Sequence, residues 1–156
     1  MLRVTRAFLL PWFISASLVV VAGGPVNWVF STTALQADSV QLQLRSTCEA
    51  GWHIYALHLP SDEGPLPTAV KLDAAPAFSL AGPVVEPVPL EKEDPAFGMR
   101  VRYHEGETTF TQNLIRGGRT AFTVHGSVEY MACNDKTCLP PTQVEFTVDI
   151  PPARSK

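Results

Sequence analysis

The chain has 156 residues, a formal net charge of -3 and 46% apolar residues, which suits one globular domain with a single hydrophobic core. Without residues 1–37, which carry only Arg3 and Arg6 as charged groups, ten basic residues face fifteen acidic ones and the net charge is -5. Proteins that bind nucleic acid present a basic face, so this balance excludes nucleic acid as the expected partner.

Residues 1–37 have the layout of a secretory signal peptide. Arg3 and Arg6 precede an apolar stretch over residues 7–22, and small and polar residues follow it. Cleavage is possible after Ala22 or after Ala37, and the second site is favoured because the polar, alternating sequence begins directly after it. We therefore expect export to an oxidising compartment.

The alternative for this segment is an uncleaved membrane anchor over residues 7–30. A spanning helix needs about 20 continuous apolar residues, and Pro11 and the break at residues 23–25 interrupt the run. Cleavage is therefore the preferred prediction, with a domain over residues 38–150 and a short tail over residues 151–156.

The prolines restrict the fold class. Six further prolines lie between Pro60 and Pro95, and this spacing leaves no room for a helix of ten or more residues. Alternation of apolar and polar residues predicts half-buried strands, at residues 40–45, 52–57, 68–72, 84–90, 99–103, 108–112, 120–133 and 143–150. We predict an all-β, immunoglobulin-like antiparallel β-sandwich, with the charged run at residues 91–94 in a solvated loop.

Two cysteines flank a four-residue turn near the end of the predicted domain. Asn134 and Asp135 are turn formers, and hairpin loops of four residues are usually built around a type I turn. Cys133 and Cys138 then face each other across two antiparallel strands, at a Cα separation that suits a disulfide. The sequence predicts a disulfide hairpin at one end of the sandwich.

The short loop favours a disulfide that opens and closes in use. In the chain-entropy model a bridge over about six residues stabilises by about 2 kcal/mol, whereas a bridge from Cys48 over roughly 85 to 90 residues gives about 4.6 kcal/mol. A fold selected for stapling gains more from the long bridge. The alternative is a static hairpin staple in the same oxidising compartment.

The direction of the side chains follows from the period of the strand before the turn. Phe122, Val124, Val128 and Tyr130 share one parity and are predicted to face the core, with residue 126, a glycine, as a bulge or a point of close approach. Cys133 has the opposite parity. We expect it at an exposed position or at the end of the sheet, where a partner can reach it.

Two other uses of the cysteines remain open at this stage. Cys48 is predicted to be a small buried residue, but a Cys48–Cys133 bridge of the immunoglobulin kind, beside Trp52, is an alternative. The equal spacing of Cys48 with His53 and of Cys133 with Cys138 also permits a Cys3His zinc site. The preferred prediction has no metal and no cofactor.

Four segments together resemble the N-terminal periplasmic domain of the thiol:disulfide interchange protein DsbD. They are Gly-Trp-His-Ile-Tyr at residues 51–55, the proline loop at residues 64–68, Gly-Ser-Val-Glu-Tyr at residues 126–130, and the cysteine pair followed by Pro-Pro at residues 133–141. The resemblance extends over residues 40–150. The turn between the cysteines is one residue shorter than in the best-known members.

The resemblance implies roles for particular residues. It identifies Cys133 and Cys138 as the redox pair and Cys138 as the cysteine that contacts partners. A loop over residues 93–98 matches the family's cap, which shields the cysteines. The remaining residues expected around the site are Asp94 and Phe97 in the cap, with Phe97 as the shielding residue, and the aromatic positions His53 and Tyr55.

The resemblance also implies a function. Members carry electrons in the periplasm from a thioredoxin-like donor to exported thiol oxidoreductases, with a membrane electron-transfer protein and a link to cytochrome c biogenesis. This sequence shows neither the membrane-embedded nor the C-terminal thioredoxin-like section of the full interchange protein, so we expect a monomer that depends on partners. The alternative function is a non-catalytic secreted β-sandwich binding module with a structural disulfide.

Overall fold

The structure is a computed structural model that describes residues 19–36, 38–61 and 63–153. These residues form twelve β-strands and no helix. The strands are β1 (Val19–Gly23), β2 (Val26–Ala34), β3 (Ser39–Cys48), β4 (His53–Tyr55), β5 (Ala69–Leu72), β6 (Phe78–Leu80), β7 (Leu90–Asp94), β8 (Met99–Glu105), β9 (Glu107–Arg116), β10 (Phe122–Tyr130), β11 (Ala132–Cys133) and β12 (Thr142–Ile150).

All strand pairs within the sheets are antiparallel. A five-stranded sheet has the order β1-β2-β3-β9-β6, and a three-stranded sheet has the order β12-β10-β5. Their inner faces share one hydrophobic core, in which the rings of Phe30 and Phe146 stack 4.3 Å apart. The predicted all-β, immunoglobulin-like sandwich is confirmed.

Strand β2 lies in the segment that the sequence assigned to a signal peptide. It pairs with β3 along all nine of its residues, and Val26, Trp28 and Phe30 are fully buried. A domain that began at Asp38 would lack a central strand and three core side chains. The sandwich of the described residues therefore includes residues 26–34, whereas the sequence placed the start of the domain at residue 38.

Most of the predicted apolar stretch of the signal peptide, up to residue 18, and the residue at the favoured cleavage site, Ala37, lie outside the described residues. In the described part of the chain, no helix has the length and apolar character needed to cross a membrane.

Strand β10 confirms the predicted direction of its side chains. Val124, Val128 and Tyr130 are buried, and Phe122 packs against the same core. Gly126 is a point of close approach, because a Cβ there would lie 2.5 Å from the carbonyl oxygen of Lys71. It is not a bulge, since the pairing of β10 with β12 continues without interruption.

A third sheet, of four strands in the order β11-β4-β8-β7, carries the first cysteine of the hairpin on β11. The charged run at residues 91–94 forms most of β7 rather than a solvated loop, and β7 pairs with β8. The strand predicted at residues 84–90 is reduced to one bridge between Val85 and Thr111. Prolines 83, 87 and 89 lack the N–H group that a longer ladder needs.

Candidate active site

The disulfide hairpin is the centre of the site. Cys133 and Cys138 form a disulfide with their Cα atoms 4.0 Å apart, which confirms the predicted pairing. The backbone N–H groups of Lys136 and Thr137 each donate to Asn134 Oδ1 at 2.9 Å. This Asn side chain organises the turn, as the local hydrogen bonding of asparagine predicts.

Cys133 does not have the orientation that its parity predicted. It is 1% exposed, whereas Cys138 is half-buried. The regular strand ends at Tyr130, and after Met131 the chain continues as β11, which pairs with β4 in a different sheet. This break changes the register, so the extrapolated parity no longer applies and Cys133 packs with Tyr55 and Val101 in a second hydrophobic cluster.

The third cysteine takes no part in this site. Cys48 is free and buried in the main core, where burial raises its thiol pKa to about 11. The alternative Cys48–Cys133 bridge is therefore excluded by the observed pairing. Among residues 19–36, 38–61 and 63–153, no group of three or more His, Cys, Asp or Glu side chains is arranged to hold a metal ion.

The hairpin of β7 and β8 lies beside the disulfide, and we call its turn, residues 94–98, the cap turn. The Gly98 N–H donates to the Asp94 carbonyl at 2.7 Å, and Gly98 has a φ of +62° that favours glycine. Phe97 is half-buried and packs against the cluster that contains Cys133, while Ala96 is exposed. Of the two neighbouring residues, Phe97 therefore covers the cluster.

A buried hydrogen bond joins the cap turn to strand β4. The Tyr55 hydroxyl donates to Asp94 Oδ2 at 2.9 Å, and Asp94 Oδ1 accepts from the Ala96 N–H at 2.9 Å. Tyr55 is fully buried and Asp94 is 4% exposed. Burial and then the hydrogen bond to Asp94 raise the pKa of Tyr55, so this hydroxyl remains a donor. The structure thus brings Tyr55, Asp94 and Phe97 together.

His53 is on β4, the strand between β11, which carries Cys133, and β8, which carries Tyr103. It is directly opposite Cys133 in the β4–β11 pairing, and its ring lies edge-on to Tyr55 and Tyr103 at centroid distances of 5.4 Å and 5.2 Å. It is 4% exposed. Burial, and next the charge of Lys92, lower the pKa of His53 to about 4, so the imidazole is neutral at pH 7.

Lys92 and Tyr103 belong to the site, and the sequence did not indicate either of them. Lys92 Nζ lies 3.8 Å from Asp135 Oδ1, in the cysteine turn, and 4.9 Å from the centroid of the Tyr103 ring. Lys92 thus links β7, β8 and the cysteine turn. The signal was its spacing from Asp94, because residues two apart on a strand share a face, but the charged run was interpreted as a loop.

The fold and this arrangement define a class of protein, an immunoglobulin-like sandwich with a disulfide hairpin beside an aromatic cap. The chain belongs to the family described as "Thiol:disulfide interchange protein DsbD, N-terminal", whose model matches residues 24–150. It is a thiol-disulfide oxidoreductase domain. The match begins at residue 24, before β2.

Solved structures show the same fold. The reduced DsbD N-terminal domain of Neisseria meningitidis is 22% identical with a TM-score of 0.51, and the match covers 81% of this chain and 86% of that one. The N-terminal periplasmic domain of ScsB from Proteus mirabilis is 12% identical with a TM-score of 0.60, covering 86% and 50%. At these identities the likeness shows the fold alone. No curated protein matches the chain.

Proposed function

We propose that this domain carries reducing equivalents from a thioredoxin-like donor to exported thiol oxidoreductases, through reversible opening of the Cys133–Cys138 disulfide. The observation that carries the proposal is the placement of the disulfide. It closes a short hairpin on the four-stranded sheet, beside the cap turn, rather than joining the two sheets of the main core. A disulfide so placed adds little to the fold by chain entropy.

The unequal exposure of the two sulfur atoms supports an order of events. A partner thiolate must reach one sulfur to form a mixed disulfide, and Cys138 is half-buried while Cys133 is 1% exposed. The donor thiolate attacks Cys138 Sγ, the Cys133–Cys138 bond breaks, and Cys133 leaves as a thiolate. The second thiol of the donor then attacks the mixed disulfide, which leaves the pair as two thiols and the donor oxidised.

Delivery to the acceptor is the reverse sequence. Cys138, as a thiolate, attacks one sulfur of the acceptor's disulfide, and the other acceptor sulfur leaves as a thiolate. Cys133 then attacks Cys138 Sγ and expels the bound acceptor sulfur as a thiolate. The acceptor ends with two thiols, and the domain regains its disulfide. No cofactor is needed, because every electron pair moves between sulfur atoms.

The cap turn supports a shielding role for Phe97. Its ring packs against the cluster around Cys133 and lies 6.1 Å from the Tyr55 ring, centroid to centroid. In this proposal Phe97 and Asp94 hold the cap closed over the disulfide, and docking of a partner displaces Phe97. His53 and Tyr55 form the floor on which the cap rests.

The compartment and the partners belong to the same proposal. A persistent disulfide requires an oxidising space, and the N-terminal segment has the layout of a secretory signal, so the domain acts in the periplasm. Cleavage after Ala22 would leave β2 intact, whereas an uncleaved segment would tether the domain to the membrane. In this proposal a membrane electron-transfer protein supplies electrons to the donor. The acceptors include thiol oxidoreductases that serve cytochrome c biogenesis.

The test is exchange between the oxidised full chain and reduced thioredoxin, used as a probe donor, with trapped species identified by mass. The serine variants have one free thiol in place of the disulfide, so they are mixed instead with oxidised thioredoxin. Cys133→Ser should then form a mixed disulfide through Cys138, as the other thioredoxin sulfur leaves as a thiolate, whereas Cys138→Ser should form none, with both variants folded. Cys48→Ala is the matched control and should exchange like the unaltered chain. Collapse of the fold in either serine variant, or a folded protein that forms no mixed disulfide, would favour the binding-module alternative.

A further inference from the structure

A buried imidazole lies beside the disulfide, and the sulfur chemistry described above does not use it. His53 and Cys133 are Cα partners in the β4–β11 ladder. Directly opposed residues of an antiparallel pair point to the same face, with Cβ atoms about 4.5 to 5.5 Å apart. The His53 ring and the Cys133 sulfur are therefore neighbours on one face of this sheet.

One nitrogen of that ring has no partner. Within the described residues, Nε2 of His53 is buried and makes no hydrogen bond. Leaving a buried polar atom unpaired costs free energy, and such an atom in a folded protein calls for an explanation. The edge-on contacts with Tyr55 and Tyr103 hold the ring in place, on the strand position directly opposite Cys133.

We propose that Nε2 of His53 accepts the proton of the Cys133 thiol when the disulfide re-forms. The inference deepens the proposed function and depends on it. The S–H bond of Cys133 breaks as an N–H bond forms on Nε2, and the new thiolate attacks Cys138 Sγ in the mixed disulfide. The bond between Cys138 and the partner breaks, the partner leaves as a thiolate, and the imidazolium releases its proton to that thiolate or to solvent.

The surroundings of His53 fit this role. The titratable and charged groups that face it from its own strand, β7, β8, β11 and the cysteine turn are Tyr55, Lys92, Asp94, Tyr103, Glu105, Cys133 and Asp135. Burial and Lys92 keep the ring neutral in the disulfide form, and Asp94 and Asp135 act in the opposite direction. A thiolate on Cys133 adds a negative charge beside the ring and favours its protonated form.

The pH profile of ring closure tests the proposal. The reduced full chain is mixed with oxidised glutathione, and closure is followed as the release of glutathione from Cys138. In the unaltered chain the His53 imidazole, which accepts the proton, is neutral above its pKa of about 4. We therefore expect the rate of closure to change little between about pH 5 and pH 7. Without the imidazole, the rate of closure should follow the fraction of Cys133 that is thiolate. It should then fall about tenfold for each pH unit below the thiol pKa, which is about 8.5 for an unperturbed cysteine.

The variant is His53→Phe, which keeps a ring against Tyr55 and Tyr103 and removes Nε2. A general base contributes about 100-fold or more when it is well placed, so at pH 6 we expect closure to be slower by at least about tenfold. His125→Gln is the control, because His125 is exposed on β10, in another sheet, and it should keep the original profile.

The outcomes separate the two proposals. If His53→Phe closes at the original rate with the original pH profile, the role of His53 is wrong while the exchange function stands. If the unaltered chain shows no thiol-disulfide exchange with either thioredoxin or glutathione, both proposals fail. A variant that does not fold is replaced by an NMR titration of His53 in the unaltered chain, where reduction should move its midpoint to higher pH and an unchanged midpoint would overturn the inference.

Discussion

The Tyr55 hydroxyl donates to a carboxylate 39 residues away, and this contact joins β4 to the cap turn. Asp94 is 4% exposed and accepts from both Tyr55 and the Ala96 N–H. A buried carboxylate is tolerated only where donors satisfy it. At the scale of single residues, the position of the cap therefore depends on this pair of buried polar groups.

Replacement of Tyr55 by Phe tests that dependence. Asp94 would lose its side-chain donor, and we expect the free energy of unfolding to fall by about 1.5 to 3 kcal/mol, the usual range for a hydrogen bond to a charged group. Tyr103→Phe is the matched control, because the Tyr103 hydroxyl has no hydrogen bond to any described residue and its ring contacts are kept. Equal effects of the two substitutions in urea unfolding would show that the hydrogen bond contributes nothing.

The hairpin of β7 and β8 is the element that positions the site. Strand β8 of this hairpin pairs with β4. The cap turn and β7 contact the site through the Phe97 packing, the Tyr55–Asp94 hydrogen bond and the ion pair of Lys92 with Asp135. The Asp135 side chain is 92% exposed, and ion pairs at the surface contribute little. The aromatic contact and the buried hydrogen bond are therefore stronger links between the cap turn and the site than this ion pair is.

Replacement of Phe97 by Ala should open the cap more often. A fully buried Phe side chain is worth about 1.5 to 3 kcal/mol, and half of that corresponds to about a fivefold change in the fraction of open molecules. We expect reduction of the disulfide by dithiothreitol to be about fivefold faster. Ala96→Ser, at the exposed neighbouring position, should leave the rate unchanged, and an unchanged rate in Phe97→Ala would contradict a shielding role.

The elements that the sequence predicted best are those with a strict period of two. Strands β3, β10 and β12 alternate cleanly, because one face of each packs in the core. Strand β7 was missed because its run of charged residues suggested a solvated loop. One face of β7 is largely exposed, so charged residues are compatible with a strand at this position. Strand β2 was missed because its apolar residues continue the pattern of a signal peptide.

The candidate site could be predicted in its chemistry more than in its geometry. The turn residues between Cys133 and Cys138 predicted the disulfide, because their preferences are local. The burial of Cys133 depends on the change of sheet at Met131, which is set by tertiary packing and has no local signal. The burial of His53 and its unpaired nitrogen also depend on the packing of β4 between β11 and β8. The local sequence around residue 53 does not predict that packing.

At the scale of the whole molecule, the sandwich depends on β2. Trp28 and Phe30 are fully buried, and their rings contact Phe110, Tyr130 and Phe146 from both sheets. Loss of one such side chain costs about 3 to 5 kcal/mol, and a domain has only about 5 to 15 kcal/mol in total. Loss of the strand would therefore remove most of the stability.

Two truncations test the start of the domain. A chain that begins at Gly23 keeps β2 and should unfold cooperatively, whereas a chain that begins at Asp38 should show no cooperative transition by circular dichroism. In the exported protein, we expect a mass that corresponds to cleavage before Val26. A stable, cooperative fold from Asp38 onward would contradict the role of β2 and restore the later boundary.

The central claim is that Cys133 and Cys138 form a working redox couple, and its reduction potential tests this most directly. The full chain is equilibrated with glutathione buffers, and the thiols are mapped by alkylation and mass. We predict a Cys133–Cys138 couple between about -180 and -270 mV, the range of exchange proteins. A disulfide that resists reduction below about -300 mV, as structural bridges do, or a couple that involves Cys48, would contradict the claim.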